Sequence, residues 1–84
     1  MASGVFTATG AAEEVVINER ADLSLVFGGT GSVKLQRFKN DEWRDVPGGV
    51  WTAHTEDIIN SGRLGTRFRL NCTARSHDID WELG

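Results

Sequence analysis

Residues Thr66 to Arg75, TRFRLNCTAR, alternate without a break. Phe68, Leu70, Cys72 and Ala74 fall on one side, while Arg67, Arg69, Asn71, Thr73 and Arg75 fall on the other. In a β-strand successive side chains point to opposite faces, so this period of two describes a strand with one buried and one solvated side. A second alternating stretch, Ser32 to Val46, predicts a β-hairpin. Val33 and Leu35 interleave with Ser32, Lys34 and Gln36, then Lys39-Asn40-Asp41-Glu42 supplies turn formers, and Trp43 reopens an apolar run.

The remaining stretches carry the same signature. Val5 to Thr9 predicts a first strand closed by Gly10, and Glu13 to Ile17 a second, because the β-branched run Val15-Val16-Ile17 disfavours a helix. Ala21, Leu23, Leu25 and Phe27 alternate with Asp22 and Ser24, leaving Val26 on the outer side. Gly28-Gly29-Thr30-Gly31 is a tight connection expected to use glycine's access to positive φ. Pro47-Gly48-Gly49 signals a turn before a strand over Val50 to Thr55, with Trp51 and Ala53 on one face. Glu56 to Gly62 is irregular, its Ile58 and Ile59 anchoring a loop in the core. Ile79, Trp81 and Leu83 alternate with Asp78, Asp80 and Glu82 at the C-terminus. If this strand pairs with Thr66–Arg75 through the Ser76-His77 turn, arginines lie across from acids.

Six to eight short strands, with turn signals between them and no segment of 3.6 period, predict an all-β fold. The expected architecture is a single small antiparallel β-sandwich, Ig-like or jelly-roll-like, with a small barrel as the alternative. Its core would draw on three Trp and four Phe. Residues 1–10 are expected to form a flexible N-terminal arm with an edge strand, and residues 11–84 the sandwich domain. Eighty-four residues sit near the lower size for independent folding, so self-association would stabilise the chain appreciably.

A formal net charge of −3 argues against nucleic acid as a partner. No apolar run approaches the length of a membrane helix, and the opening MASGVFTATG lacks a signal peptide's basic and apolar regions. Cys72 stands alone, which excludes an internal disulfide, and its place in the inward row reads as a core residue. These features predict a soluble protein made in a reducing cytoplasm.

No catalytic constellation emerges. The Gly28–Gly31 stretch lacks phosphate-loop spacing and precedes no helix. His54 and His77 are isolated, Asp78 and Asp80 beside His77 read as a solvated strand face, and Cys72 has no base at a recognisable spacing. The expectation is a non-enzymatic protein without cofactor or metal. Two surface features invite a binding role. Arg63, Arg67, Arg69 and Arg75 form a basic stripe, with Arg37 and Arg44 on the hairpin nearby. Its commoner use is internal pairing with Asp78, Asp80 and Glu82; the other is docking on an acidic protein surface, where guanidinium forks match carboxylates. One of Trp43, Trp51 and Trp81 could also stand exposed for sugar stacking or a protein contact.

The succession GTGSVKLQRFKNDEWRDV, VWTAHTEDI, GTRFRLNCTA and IDWEL resembles a β-sandwich module of tailed-bacteriophage structural proteins. In that pattern a G-x-V-x-L-x-R strand turns and returns at a Trp, then runs through T-A-x-T-E to R-x-R-L-x-C/A-T. Gly31, Val33, Leu35, Arg37, Trp43, Thr52, Ala53, Thr55, Glu56, Arg67, Arg69, Leu70 and Thr73 fill those slots. The resemblance spans residues 28–84 and implies a head-decoration (cement) protein. Such a protein would bind the major capsid protein on the outer shell, as a homo-oligomer with threefold symmetry the expected closed form, and reside in a virion assembled in the host cytoplasm. The alternative is a tail or fibre component with a receptor- or carbohydrate-binding sandwich. The contact residues expected on this reading are Arg67, Arg69 and Arg75, with Val5 and Phe6 of the arm, whose unpaired edge could join another sheet.

Overall fold

The computed structural model describes residues 2–84. Nine strands follow one another along it: β1 (Ala2–Phe6), β2 (Gly10–Ala11), β3 (Val15–Ile17), β4 (Arg20–Phe27), β5 (Gly31–Lys39), β6 (Glu42–Trp51), β7 (Thr55–Asn60), β8 (Thr66–Arg75) and β9 (Ile79–Leu83). They form two antiparallel sheets. Sheet A has the order β1-β9-β4-β7; sheet B has the order β2-β8-β5-β6, with β3 continuing beside β2 along the same edge of β8. The sheets close on one another as a small β-sandwich.

Period-two patterning explains why the sheets stack. The inner face of sheet A carries Leu23, Leu25, Ile79 and Leu83, each no more than 1% exposed, with Phe6 and Trp81 beside them. Sheet B answers with Ile17, Val33, Leu35, Phe68, Leu70 and Cys72. Burying a Leu, Ile or Val side chain contributes about 1.5–3 kcal/mol, and these two rows form one continuous core.

The Asn40-Asp41 turn joins β5 to β6 through the closing pair Lys39↔Glu42. Both central residues have positive φ, 54° and 61°, as the type I′ hairpin turn requires. Strand β6 then runs longer than expected. Pro47-Gly48-Gly49 does not end a strand; it forms a bulge within β6, because Gln36 pairs with Asp45 while Lys34 pairs with Val50. Residues 46–49 thus oppose Leu35 alone, and Gly48 takes φ 76° inside the bulge. The strand expected over Val50–Thr55 accordingly stops at Trp51.

The segment Glu56–Gly62, expected as irregular, contains a regular strand. β7 pairs with β4 from Arg20↔Asn60 to Leu25↔Thr55, with Ile59 buried and Ile58 on the outer side. At the N-terminus, Ala2–Phe6, placed in a flexible arm, lies in full register along β9 as the edge strand of sheet A. Thr7 to Thr9, expected within the first strand, are bends.

Two further corrections concern β8 and the Gly28–Gly31 connection. β8 and β9 do not pair; they lie in different sheets, and the chain between them crosses the sandwich. The glycines are demanded by close approach rather than by φ, since Gly28, Gly29 and Gly31 all lack positive φ. A Cβ on Gly31 would stand 2.8 Å from the Ala74 carbonyl oxygen and 2.9 Å from Ile79 Cδ1. The connection is laced to the Ser76–Asp78 turn: Gly28 N–H donates to the Asp78 carbonyl at 3.0 Å and Ser76 N–H to the Thr30 carbonyl at 2.8 Å.

Candidate functional site

The outer face of sheet B gathers the polar residues of β5, β6 and β8 that the alternation turns outward. Register sets Gln36 between Arg69 on β8 and Asp45 on β6, Lys34 beside Asn71, and Phe38 opposite Trp43; on the far edge Val16 of β3 faces Arg67. Three hydrogen bonds tie the row together. Arg69 Nε donates to Gln36 Oε1 at 2.8 Å, Gln36 Nε2 donates to Asp45 Oδ1 at 2.9 Å, and Lys34 Nζ donates to Asp45 Oδ2 at 3.0 Å. These donors favour the ionised form, so the Asp45 carboxyl titrates below its ordinary value, with the Gln36 bond the largest cause and Lys34 next.

Aromatic rings hold the two arginines in place. The Arg67 guanidinium carbon lies 4.1 Å from the Phe38 ring centroid, and that of Arg69 lies 4.5 Å from the Trp43 ring. Phe38 and Trp43 meet edge to face at 5.2 Å. Arg67 also pairs with Glu14, which raises its pKa above the ordinary arginine value. Arg69 differs in one respect: its acceptor is a neutral amide, and among the described residues it forms no ion pair. A flat cation is therefore fixed in orientation while its charge stays uncompensated.

The basic stripe divides here. Val33 pairs with Cys72 but Ser32 pairs with Ala74, so Thr73 is an extra residue that reverses the phase of the strand end. Ala74, expected inward, is exposed, and Arg75 moves away from the face of Arg67 and Arg69. Arg75 instead binds its own turn, through Asp78 Oδ1 at 3.0 Å and the His77 carbonyl at 3.1 Å. Of the pairings expected with Asp78, Asp80 and Glu82, this local one forms; the arginines of the face engage Glu14 and Gln36.

The two arm residues also separate. Val5 is 50% exposed on the outer face of sheet A, between Asp80 and solvent. Phe6, expected as a contact, is 6% exposed and packs against Trp81 with ring centroids 6.3 Å apart, so its ring belongs to the core. Around Val5, register lines up Asp80 with Val26, Glu82 with Ser24 and Glu56, and Asp22 with Ile58. Among the described residues none of these four acids forms an ion pair. The sandwich thus has an acidic, valine-studded outer face opposite a basic, aromatic one. Sequence reasoning did not foresee Gln36, Phe38 and Asp45 as parts of the basic face; the shared parity of Gln36 and Phe38 on β5, and the hairpin register that sets Gln36 against Asp45 on β6, was the signal available.

The remaining chemistry-bearing groups have structural partners. Phe27 N–H donates to His54 Nδ1 at 3.2 Å, and His77 Nδ1 lies 3.0 Å from Ser76 Oγ. Cys72 is 1% exposed, and burial pushes its thiol pKa up. Among the described residues no three His, Cys, Asp or Glu side chains gather in a metal-binding arrangement. In comparisons with known proteins, no family model, curated protein or solved structure matches this chain.

Proposed function

We propose that this protein is a non-enzymatic docking module whose contact surface is the outer face of sheet B. The observation that carries the reading is Arg69, stacked on Trp43 and steered by Gln36, with no carboxylate of its own. A preoriented guanidinium loses little rotamer freedom on meeting a partner, and it forms bidentate bonds to a carboxylate. Arg67 on Phe38 adds a second cation that can exchange Glu14 for a partner's acid. Arginine framed by aromatic rings is the composition that recurs at protein-contact hot spots.

The sequence resemblance to tailed-phage structural modules supplies the specific role: decoration of the outer capsid surface, with the major capsid protein as partner and shell reinforcement as the outcome. Binding confined to the assembled shell would stabilise it by mass action. A sugar-binding role in a tail or fibre draws less support, because Trp81 is buried and Trp43 is stacked by Arg69, which leaves half-buried Trp51 as its one candidate ring.

Co-sedimentation with expanded capsid shells tests the reading. Saturable binding at a fixed copy number, lost in Arg69→Ala and weakened in Arg67→Ala, is the expected result. Equal binding by wild type and both variants removes the sheet B face as the docking surface, and no binding to shells removes the capsid role.

A further inference from the structure

The two sheets leave one side of the sandwich open, between edge strands β6 and β7. A groove of about 310 Å³ lies there, lined by the buried side chains of Leu35, Ile59 and Phe68 and by half-buried Trp51. Arg37 shares the inward parity of Val33 and Leu35 and also lines this groove. Among the described residues its buried Nε has no hydrogen-bond partner and Arg37 forms no ion pair. A guanidinium N–H removed from water without an acceptor is costly, and a carboxylate is the acceptor that compensates it best.

The flanking backbone adds a second requirement. β6 offers a poor edge, since Pro47 has no N–H and residues 46–49 bulge out of register. β7 offers a better one. Among the described residues it pairs with β4 alone, and the Ile58 N–H is bonded only by the neighbouring Asp57 carboxylate at 2.7 Å. An exchangeable side-chain cap on a strand edge gives way to a main-chain carbonyl when a guest strand arrives.

From these features we infer a second binding site: the β6–β7 groove accepts an extended peptide segment of a partner protein. The segment adds to β7 as an edge strand, with an acidic side chain reaching Arg37 and an apolar one, two residues away, on the groove lining. Alternate residues of a strand share a face, so one segment meets both demands. The groove borders the outer face of sheet B at Asp45, which lines both, but peptide binding here does not depend on docking at that face.

The test uses the ¹⁵N-labelled protein and three probes: acetyl-Val-Thr-Glu-Thr-Val-amide, in which both valines share the face of the glutamate, the same peptide with Gln for Glu, and hexanoate. The glutamate peptide is expected to shift the β7 amides together with the Arg37 Nε–H resonance. Its glutamine counterpart is expected to bind at least about tenfold more weakly, the loss of one charge-assisted bond. Absence of β7 shifts at millimolar peptide overturns the proposal, as does equal affinity of the two peptides. Hexanoate binding as tightly as the glutamate peptide overturns strand addition by showing a pocket for carboxylates alone. Both peptides are compared on the wild-type chain, so the result stands even where Arg37→Gln fails to fold.

Discussion

Arg69 and Trp43 lie on strands that flank β5 on opposite sides, and the guanidinium carbon of one sits 4.5 Å from the ring centroid of the other. The contact spans three strands of sheet B and is anchored at its centre by Gln36, which is 9% exposed. A stack of this kind contributes about 0.5–1 kcal/mol at an exposed site. A double-mutant cycle on Arg69→Ala and Trp43→Ala, followed by urea denaturation, should return a coupling energy of that size. Zero coupling would mean that the side chains part in solution and that Arg69 is not preoriented.

The pH dependence of stability is set in part by Asp45. Its carboxyl is held below 3.8, the ordinary aspartate value, by the Gln36 and Lys34 donors. A group whose folded pKa is depressed contributes stability above its unfolded pKa, and the contribution disappears as pH falls through the folded value. Thermal melts between neutral pH and pH ~2.5 should therefore show an acid-side loss that is shallower in Asp45→Asn. Identical acid slopes in the two proteins would assign the loss to other carboxylates.

Alternation made much of this fold readable, because it reports which face a residue occupies. Leu23, Leu25, Val33, Leu35, Phe68 and Leu70 are inward by parity, and all six are buried. Alternation carries no information on which strand lies alongside, however. Arg69 and Asp80 have the parity of a cross-strand pair, yet their strands belong to different sheets. Local residue preference misled in the other direction. Pro47-Gly48-Gly49 has turn chemistry, but a bulge on an edge strand tolerates the same missing N–H and uses the same positive φ. The phase slip at Thr73, which takes Arg75 off the candidate face, leaves no mark in composition because both phases of that strand end are polar enough to accept water. The groove at β6–β7 was hidden for the same reason: it exists only once the bulge and the β7 edge are brought together.

Cys72 provides a probe of global opening. At 1% exposure and with its thiol pKa raised by burial, it offers almost no thiolate to reagent in the folded state. Labelling with a thiol-specific disulfide reagent should proceed at a rate that rises with urea in parallel with unfolding. Rapid labelling of the native protein would place β8 in a local opening mode of low free energy.

The β5–β6 turn gives the last prediction, and it concerns stabilisation. Asn40 and Asp41 both occupy positive φ, a region where L-residues other than glycine are strained and where Asn is better tolerated than most. Asn-Gly is the favoured pair for a two-residue type I′ turn, since glycine carries no Cβ to clash at the second position. Asp41→Gly should therefore relieve strain in the folded state, and this relief should exceed the added freedom of glycine in the unfolded chain. The expected net gain is up to about 1 kcal/mol, read as a higher urea midpoint at unchanged m-value. Asp41 forms no ion pair among the described residues, so no charge contact is lost with it. A lower midpoint would show that the carboxylate, and not the backbone, stabilises this turn, and would shift the origin of the hairpin register to the Phe38–Trp43 contact beside it.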